Sequence, residues 1–76
     1  MSWNYRVVKY GEPLEEVYLI HEVHYNKRGK IEGWSDGEMR PLGSSLKELC
    51  GDLKQMTQAL KLPVLQHKNG KLVPAK

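Results

Sequence analysis

Cysteine occurs once in the 76 residues, at Cys50, which excludes an intramolecular disulfide and any zinc site built on cysteines. No window approaches the about 20 apolar residues of a membrane span. The opening MSWNYRVVKYGEP lacks the apolar run and small-residue cleavage site of a signal peptide. A cytoplasmic chain that stays out of the membrane is therefore expected. Internal repeats and low-complexity segments are missing too, as are a nucleophile elbow, a phosphate-cradling glycine loop and a paired-carboxylate motif. An enzyme is not expected, nor is a bound cofactor.

Charge of one sign is scarce over most of the chain. Of the twelve Lys and Arg, Lys68, Lys71 and Lys76 lie in the last ten residues, and the other nine match the nine Asp and Glu. The net +3 is thus a property of the C-terminus, and so dilute an excess is unlike the basic footprint of a nucleic-acid binder. If the chain does touch anions, the candidate contacts are Lys27, Arg28 and Lys30 in a turn, with Lys68 and Lys71 near the end. Direct nucleic-acid binding as an accessory protein stands as an alternative function on those residues.

What the chain does have is one strongly patterned helix, SLKELCGDLKQMTQALK, from Ser45 to Lys61. At 100° per residue Leu46, Leu49, Cys50, Leu53, Met56 and Leu60 fall within an arc of about 120°, the width of a stripe buried against one layer. Lys47, Lys54, Gln55 and Gln58 lie outside it. Ser45 with Glu48 reads as a capping box, Pro63 as the stop, and Glu48, Asp52 and Lys61 carry the signs the helix dipole favours. Gly51 falls on the solvent side.

Ahead of the helix, WNYRVVKY (Trp3 to Tyr10) alternates as a strand, with Trp3, Tyr5 and Val7 on one face and Asn4, Arg6 and Val8 on the other. A connection with turn composition, Gly11 to Glu16 and including Pro13, leads to a long second strand, Glu16 to Asn26. The turn Asn26-Lys27-Arg28-Gly29 returns the chain as a third strand, Lys30 to Ser35. Asp36 to Ser44 then crosses to the helix, with Leu42 expected to pack near Leu49. The expected fold is α+β: a three-stranded antiparallel β-meander with one C-terminal amphipathic helix on one face, around a single small core. Residues 1–66 form that domain. Residues 67–76 read as a basic tail, with a short hairpin through Asn69-Gly70 as the competing reading.

The remaining side chains with chemistry are few. His21, His24, His67 and Cys50 are the only soft metal ligands, and positions 21 and 24 of one strand point to opposite faces, so no metal site is expected. Glu22 and His24 share a face, which makes an acid/base pair the one conceivable catalytic constellation and an ordinary sheet pair the bland reading. Cys50 at the stripe's edge reads as a small buried hydrophobe.

One helix covers one side of a three-stranded sheet, so the other side should stay open. Val8, Tyr10, Tyr18, Ile20 and Trp34 are expected there, and an uncovered aromatic patch marks an association surface. The function this implies is a small non-catalytic protein-interaction or assembly module, its partner another protein or a second copy.

WNYRVV, HEVHYNKRGKIEGW and LGSSLKELCGDLKQMTQALKLPVL together resemble a family of short uncharacterised bacterial proteins, over about residues 3–65. The members share a WNYRV opening, an HEVYY strand and an ESLEEL-type helix closing on P-V-L. His24 stands where that pattern has Tyr, and Asn26 opens the turn. The resemblance implies one intact domain and no particular activity. The order of three strands and a G-x-SLKEL helix is also similar, at the level of fold, to HicB-type antitoxins, which implies capture of a small toxin as a further alternative. The proline-rich segment before the helix is reduced here to Arg40-Pro41-Leu42-Gly43.

Overall fold

The computed structural model describes residues 2–11 and 14–75, so Pro13 of the first connection and Lys76 lie outside the described residues. Three strands open the chain: β1 (Ser2–Tyr10), β2 (Val17–Tyr25) and β3 (Ile31–Trp34). The helix α1 (Leu46–Gln58) follows and tightens into a 3₁₀ turn over Ala59–Lys61. Two further strands close the chain, β4 (Leu65–Lys68) and β5 (Lys71–Pro74).

The architecture is α+β, but the sheet is five-stranded and mixed, in the order β3-β2-β1-β4-β5. This corrects the three-stranded antiparallel meander: the helix is internal, and β4 pairs in parallel with β1, Val8 opposite Leu65. The segment from residue 67 is a strand hairpin rather than a tail. Its turn is the signal already present in the sequence, since Asn69 (φ 53°) and Gly70 (φ 75°) both take the left-handed conformation that a two-residue type I′ turn demands. Along it, Leu65, His67 and Leu72 face the sheet's second side while the residues between them face the other.

Register decides what each face holds. β1 and β2 pair Val7 with Ile20 and Val8 with Leu19, so odd positions of β1 share a face with even positions of β2. On the first face Tyr5 and Val7 pack with Met56 and Ala59 of the helical segment, flanked by Ile20, Met39 and Val64. On the second, Val8, Val23, Leu65 and Leu72 form a separate core, with Tyr10, Tyr25, Ile31 and Trp34 around it. Two small cores, one on each side, replace the single core expected. The sheet curls around the second: flat strands would hold β3 and β4 about 14 Å apart, yet Trp34 and His67 meet edge to face at 6.1 Å.

Helix entry follows the sequence with one change of partner. Ser45 Oγ accepts from the Glu48 amide, as an N-cap should. The Glu48 carboxylate turns to Ser44 instead, accepting from both its amide and its hydroxyl, and these bonds hold the Glu48 carboxyl below the usual range. Gly43 passes so close to the Leu49 amide that a Cβ there has no room. At the other end Leu62 is extended (φ −103°, ψ 156°) ahead of Pro63.

Candidate docking groove

The rotation of α1 about its own axis determines the surface. Asp52 is the clamp: its Oδ1 accepts from the Tyr5 hydroxyl at 2.8 Å and its Oδ2 from the Leu42 amide at 2.9 Å. Burial, then the hydrogen bond and negative charge of Asp52, then the charge of Glu22 push the Tyr5 pKa up to about 12. With Asp52, Met56 and Ala59 turned toward the sheet, the apolar stripe sits about a quarter turn away from the interface it was expected to fill. Leu46, Leu53 and Leu60 stay 77%, 44% and 71% exposed, and Cys50 beside them is an exposed free thiol rather than a buried hydrophobe. Leu42, expected to pack near Leu49, is 79% exposed.

Between this row and β2 lies a groove of about 320 Å³, with Leu53, Met56 and Leu60 on the helix wall and Tyr18, Ile20 and Met39 on the sheet wall. Glu38 stands at its rim. The carbonyls of Ile20 and Glu22 are taken by the amides of Met39 and Ser35, so the segment after β3 covers that part of the β2 edge.

The five residues expected to share an open face do not form one surface. Val8 is completely buried, and Tyr10 and Trp34 pack on the second core, because the β4–β5 hairpin and β3 enclose that side. Ile20 is on the helix side, carried there by its pairing with Val7. Tyr18, 56% exposed, lines the groove. The anion candidates divide as well. Lys27, Arg28 and Lys30 follow Tyr25, which pairs with Ser2 at the start of β1, whereas Lys68 and Lys71 flank the turn at its far end. Near that far end a polar cleft holds Lys9 and Lys68, with the Lys9 ammonium engaged by Glu16 at 3.3 Å.

Among the described residues the buried side-chain polar groups are matched, apart from Nε of Arg6. His21, 2% exposed, has Nδ1 at 3.0 Å from the Ser35 carbonyl, a contact only a protonated Nδ1 satisfies; its Nε2 then accepts from the Tyr10 hydroxyl at 3.1 Å. Burial raises the Tyr10 pKa, and the Tyr10 ring stacks on His67 at 4.9 Å. Arg6 bonds the Tyr25 hydroxyl and the Pro63 carbonyl, while its buried Nε has no partner. Glu22 and His24 lie 3.6 Å apart, both partly exposed, on the face opposite His21. Among the described residues no group of three or more His, Cys, Asp or Glu is arranged to hold a metal ion.

Of the groove, only Tyr18 and Ile20 belonged to the expected face. The leucines belong to the apolar arc read from the sequence, but helical spacing says that they share a side and not which way it points. No family model matches the chain, and no match was found among the curated proteins or the solved structures. Among the described residues no helix is long and apolar enough to cross a membrane.

Proposed function

We propose that this protein is a non-catalytic binding module that docks a protein partner in the groove between α1 and β2. The observation that supports it is the outward leucine row: α1 and the 3₁₀ turn after it bury Met56 and Ala59 while leaving Leu46, Leu53 and Leu60 exposed on one side, and contiguous exposed apolar residues mark association surfaces where scattered ones do not. Tyr18 and Met39 on the opposite wall supply the aromatic and methionine surface common at the centre of interfaces. Capture of a small toxin would use the same groove. Nucleic-acid binding has less support, because the two basic clusters at opposite ends of the sheet make no continuous phosphate track. A lone free thiol suits a reducing compartment, and we place the activity in the cytoplasm.

The test uses Cys50, which stands in the leucine row. In cells producing the protein, maleimide labelling of Cys50 should run several-fold slower than in the dilute purified chain. Leu53→Lys, at an exposed position that costs the fold little, should restore fast labelling. Equal labelling in cells and in dilute solution would overturn the docking reading.

A further inference from the structure

We infer that the occupant of the groove is a second copy of this chain, packed about a two-fold axis parallel to α1. The inference rests on the docking reading and adds the identity of the partner. Its basis is the charge on the two sides of the leucine row. Beyond Leu46, Leu53 and Leu60, one residue on in each case, run Lys47, Lys54 and Lys61 at the same seven-residue spacing. None of the three is in an ion pair among the described residues. On the other side, across the groove, stand Glu38 at the rim, with no ion pair among the described residues, and Glu16, which accepts from the Tyr18 hydroxyl at 3.4 Å through one carboxylate oxygen and holds Lys9 at 3.3 Å with the other. The apolar strip therefore runs between a basic edge and an acidic wall.

Two copies can meet on their leucine rows in two ways. Antiparallel helices related by a two-fold axis bring like edges together, so Lys47 of one copy faces Lys61 of the other. Parallel helices bring unlike edges together, and the lysine edge of each copy lies over the Glu16 and Glu38 wall of its partner. Flanking charge selects orientation in this way in helix pairs generally, with the apolar row supplying the affinity. The parallel interface is isologous, each residue on the axis meeting its own counterpart. Cys50 then lies against Cys50 of the partner copy, whereas an antiparallel pair centred near Leu53 would hold the two Cys50 residues about 10 Å apart along the helix axes.

Sedimentation equilibrium of the purified chain across micromolar to submillimolar concentrations should give a mass twice that of the chain. Leu53→Lys should return it to one chain with its far-UV circular dichroism unchanged. Copper-phenanthroline oxidation, in which two Cys50 thiols lose two protons and two electrons to the oxidant and gain one S–S bond, should link wild-type chains at least ten times faster than the Leu53→Lys variant. Lys61→Glu should weaken the dimer several-fold. A single-chain mass throughout, with Cys50 still protected in cells, would overturn the second copy while leaving the groove's docking role intact. A dimer that resists Cys50 linkage, or that Lys61→Glu tightens, would overturn the parallel arrangement.

Discussion

At Tyr5 a single side chain ties sheet to helix, and its titration should be visible in stability. The phenol of an unfolded chain ionises near pH 10, whereas in the fold burial and Asp52 hold the proton to about pH 12. The native state thus binds more protons between these values. Its advantage is complete below pH 10 and disappears as pH rises through 12. Denaturant midpoints should fall steeply over that window, and Tyr5→Phe should flatten the fall while costing about 1 kcal/mol at pH 7 through the lost hydrogen bond. The same reasoning distinguishes two other tyrosines. Tyr10→Phe leaves Nε2 of a buried histidine without a donor and should cost about 1–3 kcal/mol in urea unfolding. Tyr18→Phe loses only a long, exposed contact at 3.4 Å and should be close to neutral. Neither difference is written in the residue types. The Tyr10–His21 bond depends on neighbouring strands bringing positions of opposite parity to one face, a register that the alternation within each strand leaves open.

At the scale of elements, α1 shows which parts of a helix local chemistry dictates. Ser45, Glu48 and Pro63 act within a turn of their own positions, so the ends of the helix were legible. The direction of its stripe was not, because the side turned to the sheet is the one that carries Met56, Ala59 and the Asp52 carboxylate, which accepts one hydrogen bond from β1 and one from the loop, and these partners are distant in sequence. A rotation that exposes Leu46 and Leu60 loses burial worth about 1.5–3 kcal/mol per leucine, which a partner on that face would recover. Gly51, by contrast, is local: a Cβ there meets nothing within 4 Å. Gly51→Ala should therefore raise stability by about 1 kcal/mol in thermal or denaturant unfolding, through helix propensity alone. No change in dimer mass should accompany it, as Gly51 is on the side of the helix away from the leucine row.

The molecule as a whole is a sheet with a core on each side, and the second core depends on the end of the chain. Composition argued for a tail, since Lys68, Asn69, Lys71 and Ala75 differ little from an unordered terminus, and Leu65 alone in β4 with Leu72 and Val73 in β5 are too few apolar residues to show alternation. What turns these residues into β4 and β5 is the uncovered side of β1 and β2: Val8 and Val23 need a lid, and Leu65 and Leu72 supply it. On this reading residues 1–66 should not fold as an independent unit, even though they contain the helix and both antiparallel pairings of the first sheet half, β1 with β2 and β2 with β3. A chain stopped after Gln66 loses Leu72, the stacking of His67 on Tyr10 and the Trp34–His67 contact, and it opens Val8 and Val23 to water. Such a chain should lose cooperative thermal unfolding and bind a hydrophobic dye strongly at 25 °C. Leu72→Ala in the full-length chain is the milder form of the same lesion and should cost about 2–4 kcal/mol. A sharp melting transition for the truncated chain within a few degrees of wild type would show that the helix-side core alone carries the fold, and the hairpin would then be an ornament of the sheet instead of the cover of its second core.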